Sequence, residues 1–440
     1  MRKICVIPVV ILVCCLLILP GCSLFRKSTT TPRSVTRPPA TRPAPAVKMP
    51  EKEKEVVAPP FNVAAFAKAV KKPSYNIALF SPLYLDSVVD SSFSASSIKP
   101  LPRFALPGLE FYEGTQLAID TLKQEGYHLN IYVYDTKSSV NSITRVLQSQ
   151  PMNNADLVIG YVTTPSELKQ LGDFAENKKI NFVSATYPND AGINNNPFLI
   201  IINSTLRTHC TGMQNFAQEK FSNKNIVIFR RDEPQEERTA AYIEEAYRKM
   251  KFDRKTPVRV VDWNDATTEA DLAKHLRSDK NNICIVTALV EDQAKNIIKK
   301  FADLAKSYTI NVIGMPTIDG DKDLLGPDYK GLNIYYSTPY FNQKTDRMSQ
   351  YVINNFKRIY KVRPSDMAFK GFEAMYYFAR LLKDNGVYFN SAINEVPARV
   401  ITPFDFQPVY RQSGDPVPDY FENMHLYFLQ LRDGVITPAN

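Results

Sequence analysis

The sequence lacks the residues and motifs on which most enzyme chemistry depends. Its 440 residues include four histidines and one tryptophan. His209 adjoins Cys210, but two neighbours in sequence are not a metal-ligand spacing, and no other spacing in the chain resembles a metal site. P-loop, G-x-G-x-x-G and G-x-S-x-G motifs are absent. We therefore expect no enzyme activity, no cofactor and no metal site.

An excess of basic over acidic residues is confined to the N-terminal part of the chain. The net charge is +9, of which residues 1–21 contribute +2 and residues 22–72 contribute +8, so residues 73–440 carry −1. A protein that follows a phosphate backbone needs clustered lysine and arginine side chains. The near-neutral remainder of the chain therefore argues against a nucleic-acid partner.

The N-terminus has the order of an export signal. Arg2 and Lys3 precede an apolar run that is too short and too interrupted by proline for a membrane span. The run ends in "LPGCS", which resembles a bacterial lipoprotein signal, in which the cysteine after a small residue is lipidated. This resemblance implies a signal peptide over residues 1–21 and a lipid anchor on Cys22, although a plain secretory signal stays open. Lipidation would place the protein on the periplasmic face of a bacterial membrane, and Ser23 in place of Asp favours the outer membrane.

Residues 22–74 are expected to form a tether. Between Ser23 and about Pro60 the chain consists mainly of Ser, Thr, Pro, Ala, Lys and Arg, with Phe25 as its one aromatic residue. Such a composition cannot bury a core, so we expect a disordered, extended spacer rich in Pro, Lys and Arg. Beyond the tether only Cys210 and Cys284 remain, and their contexts favour two buried free thiols over a disulfide.

From Tyr75 onward, apolar strand-like runs alternate with amphipathic helical segments. "YNIALF" and "DLVIGY" are typical of buried strands, while "GLEFYEGTQLAIDTLKQEG" has apolar residues at helical spacing. This alternation predicts parallel sheets with helices on both faces. One (β/α)8 barrel could hold about eight such units, but two helices in succession near the C-terminus break the pattern. We therefore expect an α/β protein of two doubly wound parallel-sheet lobes.

Four segments carry a resemblance to a known family. They are "FYEGTQLAIDTLKQEGYHLNIYVYDTKSS", "ADLVIGYVTTPSELKQLGDFAENKKINFVSATYP", "MAFKGFEAMYYFARLLKDNG" and "YFLQLRDG". In this order and spacing the chain resembles the type I periplasmic ligand-binding proteins, particularly the branched-chain amino-acid-binding (leucine-binding-like) group. The resemblance implies a hinged two-lobe protein with three crossovers between the lobes. We place lobe one at residues 75–203 plus 338–415 and lobe two at residues 204–337 plus 416–440.

Hydroxylated residues end two predicted strands of lobe one. Thr163 and Thr164 follow "DLVIGYV", and Ser184, Ala185 and Thr186 follow "INFV". Ligands of open parallel sheets bind beyond the carboxyl ends of the strands, where hydroxyls and unpaired backbone amides face one space. In the resembled family these two turns hold the carboxylate and the ammonium of the ligand, and Thr164 and Thr186 are the closest positional matches. The alternative for Thr163 or Thr164 is an N-cap of the following helix.

Lobe two offers weaker candidates for ligand contact. Asp232 lies in "FRRDEPQEE" and Asp319 in "GMPTIDGDKD", both at predicted strand ends. The first segment lacks the aromatic residue that amino-acid binders usually have there, and Thr317 stands where they often have an acid. These departures weigh against an α-amino-acid ligand. The alternative is that both acids are solvated loop charges.

Two functions from different classes fit these patterns. The first is a lipid-anchored extracytoplasmic solute-binding protein, which holds a small polar, amino-acid-like ligand in an interlobe cleft for an ABC transporter or a sensor. The hydroxyls at both lobe-one turns favour it. The second is an interaction module of the same fold, similar to lipoproteins that regulate peptidoglycan synthesis through protein contacts. The departures in lobe two and the long loop "DSVVDSSFSASSIKPLPRFALPG" favour it.

Overall fold

A computed structural model describes residues 71–89, 100–251, 255–393, 398–411 and 414–439. The expected signal peptide, the expected lipid anchor Cys22 and the tether before residue 71 lie outside these ranges. Among the helices within the ranges, none combines the length and the apolar character that a membrane span requires.

Strands and helices alternate through most of the described chain. The strands are β1 (Tyr75–Ser81), β2 (Leu129–Asp135), β3 (Leu157–Gly160), β4 (Asn181–Ser184), β5 (Leu199–Ile201), β6 (Lys224–Arg230), β7 (Val258–Asp262), β8 (Asn281–Val286), β9 (Ile310–Ile313), β10 (Asn333–Thr338), β11 (Ala398–Arg399), β12 (Pro403–Phe404), β13 (Phe406–Val409), β14 (Tyr420–Asn423), β15 (Tyr427–Arg432) and β16 (Val435–Pro438). The helices are α1 (Leu85–Val88), α2 (Leu106–Gln124), α3 (Ile143–Leu147), α4 (Gln150–Asn153), α5 (Pro165–Lys178), α6 (Leu206–Glu219), α7 (Pro234–Lys249), α8 (Glu269–Ala273), α9 (Glu291–Leu304), α10 (Arg347–Tyr360) and α11 (Asp366–Asn385).

Fourteen of these strands form two seven-stranded sheets, one in each lobe, and β11 and β12 form a two-stranded sheet. The order is β13-β14-β5-β4-β3-β1-β2 in lobe one and β16-β15-β10-β9-β8-β6-β7 in lobe two. In lobe one, β1 to β5 are mutually parallel and only β13 runs antiparallel to its neighbour. In lobe two, β6 to β10 are parallel, and β15 and β16 add antiparallel pairs at the edge. The predicted class, two doubly wound α/β lobes, is confirmed.

Helices cover both faces of the lobe-one sheet. Leu79 of β1 joins an apolar core with α2 and α11, while its neighbour Phe80 joins a second core with α5. Successive side chains of a strand point to opposite faces. Because both faces are buried, these strands are almost uniformly apolar in sequence.

Helices α2 and α11 pack backbone to backbone. A side chain in place of Gly114 would overlap the backbone of Ala368, and one in place of Gly371 would overlap the carbonyl of Phe111. Glycine permits this close approach because it has no Cβ. The contact fixes α11 in lobe one, although α11 lies late in the chain.

The chain crosses between the lobes three times, at residues 202–205, 339–346 and 424–426. The three crossovers agree with the expected hinge, but the last boundary differs from the expected one between residues 415 and 416. Strand β14 pairs in parallel with β5, so lobe one extends to Asn423. Thr338, expected to begin the second part of lobe one, is instead the last residue of β10. Only three residues separate β14 from β15, which is why the sequence does not mark the boundary.

Both cysteines of the folded part are buried and free, so the expectation of two free thiols is confirmed. Cys210 lies in α6 and Cys284 in β8. Burial raises the pKa of the Cys210 thiol to about 12 and also raises the pKa of Cys284. Both thiols are therefore protonated at neutral pH and poor nucleophiles.

Candidate functional site

Strands β3, β4 and β5 end side by side in lobe one. Gly160, Ser184 and Ile201 are register partners across these strands. The two hydroxyl-bearing turns therefore lie next to each other at the carboxyl edge of the parallel sheet, where open α/β sheets bind ligands. The first crossover, residues 202–205, leaves the lobe from the same edge.

Thr163 and Thr164 form the N-terminal cap of α5. The Thr164 hydroxyl oxygen accepts from the Glu167 backbone N–H at 3.2 Å, and the Glu167 carboxylate accepts from the Thr164 backbone N–H at 3.2 Å, which completes a capping box. The same carboxylate accepts from the backbone N–H of Thr163 at 2.7 Å and from the Lys137 ammonium at 2.6 Å. The N-cap alternative is thus confirmed for Thr164.

The two threonine hydroxyls differ in their remaining hydrogen-bonding capacity. The Thr163 hydroxyl donates to Glu167 at 2.9 Å and accepts from Lys137 at 2.7 Å. The Thr164 hydroxyl accepts a bond, but its own O–H donates to no group within the described ranges. A hydroxyl carries one donor and two acceptor positions, so Thr164 can still donate to a ligand while it caps the helix.

Ser184, Ala185 and Thr186 have different environments. Ser184 is fully buried, and its Oγ has no hydrogen-bond partner among the residues described. Phe182, two positions earlier on the same face, packs in the core formed with α5, whereas Ala185 belongs to the core formed with α11. This placement does not support a ligand contact by Ser184. The Thr186 hydroxyl donates to the Val162 carbonyl at 2.9 Å, which leaves its lone pairs able to accept.

A cavity of about 20 Å³ borders the second of these turns, where Ala185 lines it; Thr164 and Thr186 do not line it. Its lining includes the lobe-one residue Ala185, the crossover residues Asn203, Pro339 and Tyr340, and the α11 residues Lys370 and Glu373. A space of this size accommodates about one water molecule. Because Asn203 and Pro339–Tyr340 belong to two of the three crossovers, any hinge motion of the lobes changes the shape of this cavity.

Glu373 is buried in the wall of the cavity. Its Oε1 accepts hydrogen bonds from the backbone N–H groups of Ile401 at 2.9 Å and Thr402 at 2.6 Å, and from the Thr402 hydroxyl at 3.0 Å. Burial raises the pKa of the Glu373 carboxyl to about 7, although these hydrogen bonds lower it. Near neutral pH the carboxyl is therefore divided between its neutral and charged forms.

Lys370 lies one helical turn before Glu373, beside the same cavity. Its ammonium sits 5.1 Å from the centroid of the Tyr340 ring, a distance at which a cation is attracted to an aromatic face. Burial lowers the pKa of Lys370, while the nearby charges of Asp366, Asp319 and Glu373 raise it. The sequence offered one signal for this pair: lysine and glutamate three positions apart in an otherwise apolar helix, "MAFKGFEAMYYF".

The two lobe-two candidates are placed differently. Asp232 is exposed in the loop between β6 and α7 and does not line the cavity. Asp319 follows β9 and is also exposed. Desolvation of the Asp319 carboxyl raises its pKa, while a hydrogen bond from Tyr336 and the charge of Lys370 oppose that rise. The structure therefore brings Asp319, but not Asp232, into electrostatic range of lobe one.

Solved structures of solute-binding proteins have the same fold. A putative branched-chain amino acid ABC transporter protein from Rhodospirillum rubrum has a TM-score of 0.59 at 14% identity, over 83% of this chain and 99% of its own. An ABC transporter substrate-binding protein from Desulfitobacterium hafniense, solved in complex with Leu, has a TM-score of 0.53 at 14% identity, over 83% of this chain and 99% of its own. A branched-chain amino acid ABC transporter periplasmic ligand-binding protein from Burkholderia xenovorans LB400 has a TM-score of 0.54 at 13% identity, over 82% of this chain and 91% of its own.

No family model matches the sequence, and no curated protein sequence matches it. At these identities the structural likeness concerns the fold alone. The chain has the two-lobe fold of the type I periplasmic binding proteins.

Proposed function

We propose that the protein is an extracytoplasmic solute-binding protein that holds a small, polar, amino-acid-like ligand between its lobes for a transporter or a sensor. The observation that carries this proposal is the cavity at the carboxyl edge of the lobe-one sheet, lined by Ala185, by two crossovers and by Lys370 and Glu373. Its volume of about 20 Å³ is too small for a whole amino acid, so the lobes would move apart at the crossovers to admit one.

The free hydrogen-bonding positions of the two turns support an amino-acid-like ligand. Thr164 has an O–H without a protein acceptor in the described ranges, which suits a carboxylate. Thr186 has lone pairs left after donating to Val162, which suits an ammonium group. One donor and one acceptor on adjacent turns form the pattern that a zwitterion needs.

The proposal includes a membrane anchor. Residues 1–21 would be a signal peptide, Cys22 would be lipidated, and residues 22–74 would form the tether. A lipid on one residue attaches the protein to a membrane face without a membrane span, and Ser23 after the cysteine favours the outer membrane. Neither an enzymatic reaction nor a cofactor is part of this function.

A thermal-unfolding screen against the standard amino acids tests the function. A ligand that binds only the folded state stabilises it by about 2.7 kcal/mol at a hundredfold excess over its Kd, and the melting temperature rises accordingly. We expect at least one amino acid to produce such a rise. If none does, the proposed function is wrong.

The alternative function is a protein-interaction module of the cell envelope that regulates peptidoglycan synthesis. It is favoured by large apolar side chains exposed together on lobe one: Leu85 and Val140, with exposed fractions of 45% and 65%, line the same surface pocket. Exposed apolar residues that cluster on one surface indicate a contact site. This alternative predicts that no solute stabilises the protein.

A further inference from the structure

Helix α11 carries a cation that no residue in the described part of the chain neutralises by direct contact. The Lys370 ammonium makes no hydrogen bond, and no ion pair within 4.0 Å, with any residue in the described part of the chain. Its ammonium is nevertheless held beside the Tyr340 ring at 5.1 Å, at the wall of the interlobe cavity. Lys370 is half-buried, so this cation is partly removed from water without a counter-ion, which lowers the stability of the fold.

The carboxylates around Lys370 do not replace that counter-ion. Glu373 already accepts three hydrogen bonds through Oε1 from Ile401 and Thr402. Asp366 forms an ion pair with Lys344 at 3.1 Å. Asp319 comes from the other lobe and acts on Lys370 as a nearby charge, not as an ion-pair partner. The position next to the ammonium, inside the cavity, is therefore open to an anion from solution.

We propose that Lys370 binds a carboxylate group of the ligand in this cavity, an inference that rests on the proposed solute-binding function. The cavity of about 20 Å³ holds about one water-sized group, so a carboxylate would enter it when the lobes move apart at the crossovers, with the rest of the molecule in the cleft. Lysine is suited to this role as a compact charge that forms strong, charge-assisted hydrogen bonds. The carboxylate is either the α-carboxylate of an amino acid or the side-chain carboxylate of an acidic one.

Matched acids and amides separate these two sources. Calorimetry would compare L-leucine with L-leucinamide, which differ at the α-carboxylate, and L-glutamate with L-glutamine, which differ at the side chain. In the wild-type protein we expect at least one acid to bind roughly ten- to a hundredfold more tightly than its amide, the range of a charge-assisted hydrogen bond. In Lys370→Met, which keeps an unbranched side chain of similar length, this preference should disappear.

Lys383→Met is the matched control. Lys383 lies on the same helix with its ammonium 3.8 Å from the ring centroid of Tyr127, but it is exposed and does not line the cavity. We expect this variant to keep the preference for the acid. Lys370→Gln replaces Lys370→Met if the methionine variant does not fold.

Chemical modification of lysines tests the same inference on the wild-type protein, without a variant. Acetic anhydride acetylates accessible lysines, and mass spectrometry reports the extent at each position. Saturating acid should protect Lys370 and leave Lys383 unprotected. The inference is wrong if a ligand binds but the acid preference survives in Lys370→Met, or if amide and acid bind the wild type equally. If none of the four compounds binds, the same comparison is made between whichever standard amino acid stabilises the protein and its amide; if no standard amino acid stabilises it, the proposed function fails, and the inference fails with it.

Discussion

Glu373 should make the protein less stable as the pH rises through neutrality. Its carboxyl has a pKa of about 7 in the folded protein against an ordinary value of 4.5, chiefly because it is buried. A group with a raised carboxyl pKa binds its proton more tightly in the folded than in the unfolded state. The destabilising contribution of Glu373 to the free energy of unfolding is therefore absent below about pH 4.5 and complete above about pH 7 to 8. By linkage, this difference amounts to about 3 kcal/mol at high pH.

Glu373→Gln tests this calculation, because glutamine has the shape of the protonated acid and keeps a carbonyl oxygen for Ile401 and Thr402. Urea unfolding should give nearly equal stabilities for the wild type and the variant at pH 5. At pH 8.5 the variant should be more stable by about 2–3 kcal/mol. Taking the difference between the two proteins removes the contribution of groups that titrate equally in both.

Glu373→Leu is the contrasting variant. It leaves the backbone N–H groups of Ile401 and Thr402 without their acceptor, and each unsatisfied buried donor costs about 1–3 kcal/mol. We expect this variant to be less stable than Glu373→Gln at both pH values. The reasoning would be refuted if the difference in free energy of unfolding between the wild type and Glu373→Gln did not change with pH. It would also be refuted if the wild type became the more stable of the two as the pH rises.

Three further predictions concern the anchor, the folded part and the two turns. Cys22→Ser should abolish incorporation of radiolabelled fatty acid and move the protein to the soluble fraction; undiminished membrane association would contradict lipidation. A fragment of residues 73–440 should fold without the tether and show no salt-dependent DNA binding, because its net charge is about −1. The double variant Thr164→Val, Thr186→Val should weaken binding of the stabilising amino acid about ten- to a hundredfold by calorimetry. Loss of the α5 cap should cost only about 1 kcal/mol of stability, and unchanged affinity in the folded variant would limit Thr164 to its capping role.

The fold was predictable because the strand and helix signals recur with few interruptions from Tyr75 onward. The alternation predicts parallel sheets, and the two successive helices α10 and α11 exclude an even barrel. The boundary near residue 415 was wrong for a local reason. Strands β14 and β15 belong to different sheets but are only three residues apart, so no composition change separates the lobes there.

The candidate site was harder to derive from the sequence. "INFVSA" is buried on both faces, so its sequence does not show which residues face α5 and which face α11. The sequence therefore does not distinguish Ser184 from Ala185, although they lie in different environments. Lys370 is missed because the apolar stripe of α11 indicates core packing, and only the three-dimensional structure places this one of the helix's two lysines beside a cavity. The N-cap role of Thr164 follows from its position three residues before Glu167.

Native mass spectrometry of the protein as purified tests the central claim, that a small solute occupies the interlobe cleft. Gentle ionisation preserves such complexes, and increasing the collision energy releases the ligand for identification by its mass. The account predicts that a fraction of the protein molecules carries one bound small molecule, which is released at higher collision energy. The mass of the released molecule should identify a compound with a carboxylate group. Only the mass of the polypeptide, in every preparation and also after addition of the standard amino acids, would contradict the claim and favour the protein-interaction alternative.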